Sequence, residues 1–363
     1  MLQPTASQLR AVPEELRSLL IAIFTGCGML EDDAALLAES LVVADLRGVH
    51  SHGVMRVPEY VKKLTVGGVD PHGRPSVARD SGACLVIDGG NAMGQVASHF
   101  AMQRAVERAQ EIGISAAAVC GSNHNGAMAS YAMQALPYDM IGLATTNALP
   151  TMAPWGGTER LLGINPLGIA IPAAKEFPIV YDAAFSGSSH GKIRIYQQRG
   201  EPIPEGWALD AQGQPTTDPA LAIEGLLMPI GGYKGTALAM IMGILSSMLS
   251  GAAYGTELGD MERGPDPGRD GHFLLAMDIA RFEDVDRFKA RVDNAIRQIR
   301  AANPAPGVDR VFAPGELEFL TEEQYRRDGI PLTVQILADL RSTAEILDIE
   351  PRDYAWLHSP PLG

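Results

Sequence analysis

Between residues 84 and 145 the chain alternates strand, loop and helix signals, and this alternation limits the fold more than any other feature. Cys84–Asp88 and Ser115–Cys120 read as strands, with a helix over Ser98–Ile112 between them. A second helix near Ala127–Leu136 leads to a strand at Ile141–Thr145. Short apolar runs bounded by turn formers suit buried strands, whereas apolar residues three and four apart suit helices. Strands interleaved with helices specify an α/β sheet, where ligands gather at the carboxyl ends of strands. Gly121-Ser122-Asn123-His124-Asn125-Gly126 follows such a strand, so His124 occupies a ligand-facing position.

The flanks are legible by the same rules. Pro13 opens a helix that Gly26 closes, and Glu31-Asp32-Asp33 open a second that stops at Gly48. Val49–Gly53 then reads as a loop, and Pro58 sits in the first turn of a third helix with Arg56 at its entry. Residues 70–79 read as a linker, 200–219 as turns and 262–271 as a surface loop. Further strands are expected at Gly168–Ile171, Ile179–Asp182 and Phe273–Asp278, and helices at Asp284–Ala302 and Thr333–Leu347. Thr236–Ala253 approaches membrane-spanning length, but Gly243, Ser246, Ser247, Ser250 and Gly251 make it a buried helix.

A chain of 363 residues holds two or three structural units. Its net charge of −14 opposes binding to nucleic acid, which needs lysine and arginine against phosphate. Met1–Thr5 shows no secretory pattern, so the expected location is cytoplasmic. Cys27, Cys84 and Cys120 are too few and too scattered for a disulfide framework or a zinc site, and read as reduced thiols.

No Gly-x-Gly-x-x-Gly fingerprint is present. Gly26-Cys27-Gly28 follows a helix and reads as its cap, and Gly231-Gly232-Tyr233-Lys234-Gly235-Thr236 misses the spacing of a phosphate loop. Candidate chemistry lies elsewhere. His50 and His52 lack companions for a metal site, but Ser51, Arg56 and Tyr60 lie within about a turn of His52. An imidazole titrates nearest neutrality and can protonate a nascent alkoxide, while a guanidinium fork matches a carboxylate. The same residues would serve as a solvated capping loop, and spacing does not separate the two. His124 is open in the same way between proton donor, cofactor contact and loop residue. Asp182 ends a strand as a ligand contact or a helix cap, and Lys234 reads as a phosphate contact or a surface lysine.

Together these residues resemble the type-2 malate/L-lactate dehydrogenases, a family with ureidoglycolate and sulfolactate dehydrogenases and piperideine/pyrroline-2-carboxylate reductases. The resemblance rests on Asp45-Leu46-Arg47-Gly48-Val49-His50-Ser51-His52-Gly53 with Arg56 and Tyr60, Ser122-Asn123-His124, Thr146-Asn147 and Met152-Ala153-Pro154-Trp155-Gly156-Gly157. It continues through Leu162-Gly163-Ile164-Asn165-Pro166-Leu167, Asp182-Ala183-Ala184, Ile203-Pro204-Glu205-Gly206-Trp207, Gly231–Gly235 and Pro314-Gly315-Glu316, in family order over nearly the whole chain. It implies a non-Rossmann α/β fold in three units. These are a domain from both chain ends (1–76 with 303–363), a central NAD(P)-binding domain (77–219 with 271–302) and a small helical domain (220–270).

The resemblance also implies a homodimer that moves a hydride between NAD or NADP and C2 of a small 2-oxo or 2-hydroxy acid, with neither nucleic acid nor membrane as partner. By analogy His52 donates the proton with Ser51 in support, and His124 is the acid or base of some relatives. Arg56, Tyr60, His190 and Gly191 face the substrate. His124, Asn125, Gly126, Ala127, Met128, Asn147, Asp182, Ala183, Ala184, Lys234, Pro314, Gly315 and Glu316 contact the cofactor, and no metal is involved. Lys192 stands where some imino-acid reductases carry an acidic residue, which sets ketone chemistry ahead of an imine or N-methyl-amino-acid reductase. A catalytically silent NAD(P)-binding protein is the alternative of another class.

Overall fold

A computed structural model describes residues 9–259, 264–349, 354, 356 and 357. Met1–Thr5 and the start of the anticipated 262–271 loop lie outside the described residues. Strand β1 (Leu9–Ala11) precedes helices α1 (Pro13–Gly26) and α2 (Glu31–Leu46), each opened by the acidic first turn that favours a helix N-terminus. The segment read as a loop after α2 is wound into two 3-10 turns, His50–His52 and Val54–Arg56, which run directly into α3 (Val57–Thr65).

The chain continues through β2 (Ser76–Ser81), β3 (Cys84–Asp88), α4 (Gly94–Ile112), β4 (Ile114–Ser122), α5 (Ala129–Ala132), β5 (Met140–Thr146), β6 (Pro150–Met152) and β7 (Leu162–Gly163). Next come β8 (Leu167–Ile171), β9 (Ile179–Ala183), α6 (His190–Arg199), β10 (Ala208–Leu209), β11 (Pro215–Thr216), α7 (Pro219–Glu224), β12 (Leu226–Leu227) and α8 (Tyr233–Ser247). The last elements are β13 (Asp270–Asp278), α9 (Val285–Arg300), α10 (Glu316–Asp328), β14 (Ile330–Leu332) and α11 (Val334–Ile346).

Seven strands form the central sheet in the order β2-β3-β4-β13-β5-β8-β9. Within it β3 and β4 pair in parallel, and β13 is antiparallel to both β4 and β5. β4, which carries the His124 loop, and β5, which leads to Asn147, therefore point the same way with a late strand between them. Their carboxyl ends, Ser122 and Thr146, open on one side of the sheet.

Both ends of the chain build one apolar core, in which Leu16, Leu20, Phe24, Leu37, Leu41 and Tyr60 meet Ile330, Leu332, Leu337 and Leu340. Each such side chain contributes roughly 1.5–3 kcal/mol of transfer free energy. A second core lies between α4 and the sheet, where Leu85, Ile87, Val119 and Leu274 pack on Ala97, Met102 and Val106.

Four expectations are corrected. The linker at 70–79 gives way at Ser76 to β2, an edge strand with all six residues exposed, which explains its polar composition. The turn-rich stretch holds β10 and β11, two-residue strands too short to leave a periodic pattern, which join β12, β6 and β7 from outside it in a second sheet, β11-β10-β12-β6-β7. β13 begins at Asp270, inside the anticipated loop, because its bulge near Gly271 breaks the alternation. Finally, α8 is not buried all round. Gly235, Ala239, Gly243, Ser246 and Ser247 face the protein, while Leu238, Met240 and Ile241 face outward with Met248 and Leu249 just beyond. Small residues there allow close approach, since a Cβ on Gly243 would lie 2.6 Å from Asn165 Nδ2. Among the described residues, no helix is long and apolar enough to cross a membrane.

Candidate active site

The 3-10 turns after α2 bring His52 onto His124, which the loop after β4 presents from the other side. Their rings lie parallel, 11° apart, with centroids at 5.8 Å. Ser51 Oγ is 2.9 Å from His52 Nδ1. Behind His124, Tyr60 Oη lies 2.8 Å from its Nδ1, and Gln95 Nε2 donates to the same Oη at 3.0 Å. With its oxygen accepting from Gln95, the Tyr60 hydroxyl donates to Nδ1, which leaves the His124 proton on Nε2. Tyr60 and Gln95 are both wholly buried. Tyr60 therefore lies behind His124 rather than in the open cleft.

Arg56 donates through Nε to the Ser51 carbonyl at 2.8 Å and through Nη1 to Glu59 at 2.7 Å, leaving Nη2 without a hydrogen-bond partner among the described residues. Its charge acts on both imidazoles. Burial, and then the Arg56 charge, push the His52 pKa down to about 4 and hold His124 well below the ordinary histidine range. Both rings are thus neutral near pH 7.

Beside them a cleft is lined by Arg47, Ser51, His52, Asp182 and Glu318 and by the 126–130 segment. Gly126, Ala127, Ala183 and Ala184 offer small, backbone-rich walls, and Ile164 and Pro166 an apolar surface, which together suit a planar heteroaromatic ring laid against His52. Although Asp182 borders the open cleft, its carboxyl is tucked against the start of α5, where Oδ2 accepts from Ala129 N at 2.8 Å. Desolvation raises its pKa to about 6 against those backbone bonds. The amide of Ala129 is thereby spent on Asp182 and not offered to a phosphate.

The remaining expected residues are more dispersed. Asn125 is buried beneath the loop, donating to Ser98 Oγ at 2.9 Å. Asn147 ties Ser247, the Ala253 carbonyl and Gly271 N together. His190 and Gly191 open α6, close enough to the turn that a Cβ on Gly191 would lie 3.8 Å from Ser51 Cβ. Lys192 turns away and sits 4.9 Å from the centre of the Trp207 ring. Lys234 is exposed at the start of α8 and does not line the cleft. Pro314 and Gly315 pack behind β9, where Pro314 O accepts from Val180 N, and Glu316 is paired with Arg300 and Arg310. Among the described residues, no group of three His, Cys, Asp or Glu could hold a metal.

Two residues escaped the sequence reading. Gln95 opens α4 one turn before the helix was expected to start. His272, wholly buried in β13, has Nδ1 2.7 Å from Thr146 Oγ1 and Nε2 2.8 Å from Ser122 Oγ. It joins the ends of β4 and β5, and burial pushes its pKa down to about 3. Recognising 270–272 as strand would have revealed it.

A family model described as malate/L-lactate dehydrogenase matches residues 12–341. The chain is 35% identical over 350 residues to a malate dehydrogenase of Pyrococcus abyssi, covering 94% of this chain and 96% of that one. It is 32% identical over 335 residues to a ureidoglycolate dehydrogenase (NAD(+)) of Escherichia coli O157:H7, covering 91% and 95%. Among solved structures, a sulfolactate dehydrogenase from Methanocaldococcus jannaschii superposes with a TM-score of 0.90 at 34% identity, over 95% of this chain and 99% of that one.

Proposed function

We propose a catalytic assignment that proceeds from one premise: the chain belongs to the malate/L-lactate dehydrogenase family. It is an NAD(P)-dependent oxidoreductase acting at C2 of a small 2-oxo or 2-hydroxy acid. When bound, the nicotinamide supplies or accepts the hydride. The chain's own residues must hold the carboxylate, exchange one proton at the C2 oxygen and keep water out. Arg56 takes the carboxylate through its open Nη2. His52, oriented by Ser51, and His124, oriented by Tyr60, are the two groups able to exchange the proton. Gly126–Met128 and Asp182–Ala184 form the wall on which the cofactor lies.

The observation that carries this reading is the parallel histidine pair under the charge of Arg56. With its Nδ1–H on Ser51, neutral His52 is ready to accept a proton from a hydroxy acid at Nε2, whereas His124, with Nδ1 taken by Tyr60, holds its own proton on Nε2 and is set to donate. In the reducing direction a bound carboxylate offsets the Arg56 charge, which raises both pKa values toward the range where an imidazolium donates. Substrate thus prepares its own acid. Lys192, held over Trp207, leaves Ser51 without an acidic partner from that position, which supports a ketone over an imine as substrate.

Following nicotinamide absorbance with NADH and NADPH against oxaloacetate, pyruvate, sulfopyruvate, oxalurate and cyclic imines tests the reading. Failure to turn over any 2-oxo acid refutes it. Preference for cyclic imines or amine-dependent turnover supports the reductase, and calorimetric NAD(P)H binding without turnover supports the silent binding protein. We further propose a cytoplasmic homodimer. The free thiols of Cys27, Cys84 and Cys120 favour a reducing compartment, which fractionation of cells tests. The outward apolar face of α8 suits a second copy, and Ile241→Lys should then convert dimer to monomer in sedimentation; a wild-type monomer removes this proposal.

A further inference from the structure

Asp45 lies in the last turn of α2, 1% exposed, and touches neither the cleft nor the proton-exchanging rings. Its carboxylate nevertheless grips the catalytic turn on both sides of Ser51 and His52. Oδ1 is 2.7 Å from His50 Nδ1, and Oδ2 accepts from Val54 N at 2.7 Å. Gly53 passes directly over the carboxylate, since a Cβ there would lie 2.2 Å from Asp45 Cγ. His50 is held from its other face by the Tyr325 ring of α10, with centroids 6.0 Å apart.

We propose that Asp45 is a positioning residue for catalysis, acting through His50 and Val54 to fix where His52 and Arg56 stand. The proposal rests on the roles assigned above to those two residues. A 3-10 turn has no long hydrogen-bond ladder, so its shape depends on a few anchoring contacts. Asp45 supplies two of them from one rigid helix, and the Arg56 Nε bond to the Ser51 carbonyl closes the loop between them. If the anchors go, the imidazole and the guanidinium lose their common frame together. A misplacement of this kind costs rate rather than fold.

Three variants test it. His50→Phe keeps a ring against Tyr325 but removes the Nδ1 contact, and kcat/KM for the preferred 2-oxo acid should fall about tenfold. Asp45→Ala removes both anchors, and the fall should reach about a hundredfold, with rises in KM and loss of discrimination against the methyl ester. Asp45→Asn should recover to within a few-fold. Its oxygen still accepts from Val54 N, and its NH2 donates to His50 once that ring carries its proton on Nε2.

Protein labelled with 15N-histidine gives a readout independent of turnover. The His52 signal, assigned through His52→Asn, should lose the signature of its Ser51 bond in His50→Phe and Asp45→Ala and keep it in Asp45→Asn. Wild-type kinetics and an unmoved His52 signal in His50→Phe overturn the proposal even if Asp45→Ala does not fold. A lowered melting temperature with unchanged KM and unchanged His52 signal marks a merely structural carboxylate and overturns it equally. If the wild type reduces no 2-oxo acid, the functional reading fails, and the His52 signal alone decides the role of Asp45.

Discussion

Replacing Tyr60 by phenylalanine isolates the hydrogen-bond chain behind His124 from everything else in the site. The ring is 0% exposed and stays in place, so packing changes by one oxygen. Two bonds vanish: the 2.8 Å contact to His124 Nδ1 and the 3.0 Å contact from Gln95 Nε2. Gln95 Oε1 already has no partner among the described residues, so its buried amide would be left without any there. Stranding such a group costs about 1–3 kcal/mol of stability. For His124 the loss removes both the bias toward the Nε2 proton and the contact that fixes ring orientation. One lost bond of about 1–3 kcal/mol corresponds to a kcat lowered roughly ten- to a hundredfold. KM for the 2-oxo acid should change little, because Arg56 is untouched. Adding Gln95→Leu removes the stranded amide, so the double variant should regain stability in urea melts without regaining kcat. Nicotinamide absorbance under saturating substrate measures the rate. A Tyr60→Phe enzyme with kcat within twofold of wild type and an unmoved pH profile would refute the relay.

His52→Asn and His124→Asn assign the proton: the residue that exchanges it should lose roughly two to four powers of ten in kcat, and losses under tenfold in both would remove imidazole catalysis altogether. Arg56→Gln should abolish the preference for a 2-oxo acid over its ester. Since the Arg56 charge adds to the depression of His52, it should also move that group's titration up from about 4, and an unshifted kcat/KM profile contradicts the placement of the charge. His272 titrates at about 3 when folded against the ordinary 6.5, so the unfolded chain binds the extra proton between those values. Wild type therefore loses stability as pH falls through that window, by about 1.4 kcal/mol per unit at most. His272→Gln lacks this contribution and should close the gap to wild type as pH falls from 6.5 to 3; parallel urea-melt profiles would count against it.

The helices nearest the site were legible because their signals are local. Pro13, the acidic starts of α1 and α2, and Pro58 fix boundaries without reference to the rest of the chain. Ser51, His52, Arg56 and His124 were legible as motif residues, although spacing alone left a solvated loop equally open. The supports were not. Gln95 reaches Tyr60 across 35 residues and His272 reaches Ser122 across 150, and no window of sequence contains either pair. α6 and α10 were missed because one opens on His190-Gly191 and the other on a Pro-Gly turn, both of which read as loop. For α8, apolar content gave the length but not the side, since glycine, alanine and serine face inward and leucine, methionine and isoleucine outward.

The place of β13 bears on how the chain is made. Residues 270–278 fill the middle of the sheet, so while the ribosome is still adding residue 260, β4 and β5 face each other across an empty slot with their amide and carbonyl edges bare. Pairings this distant in sequence close slowly, and bare edges attract other nascent chains. The growing polypeptide thus carries this hazard of aggregation until β13 emerges, and over that interval a chaperone holding the half-built sheet would have most effect on yield.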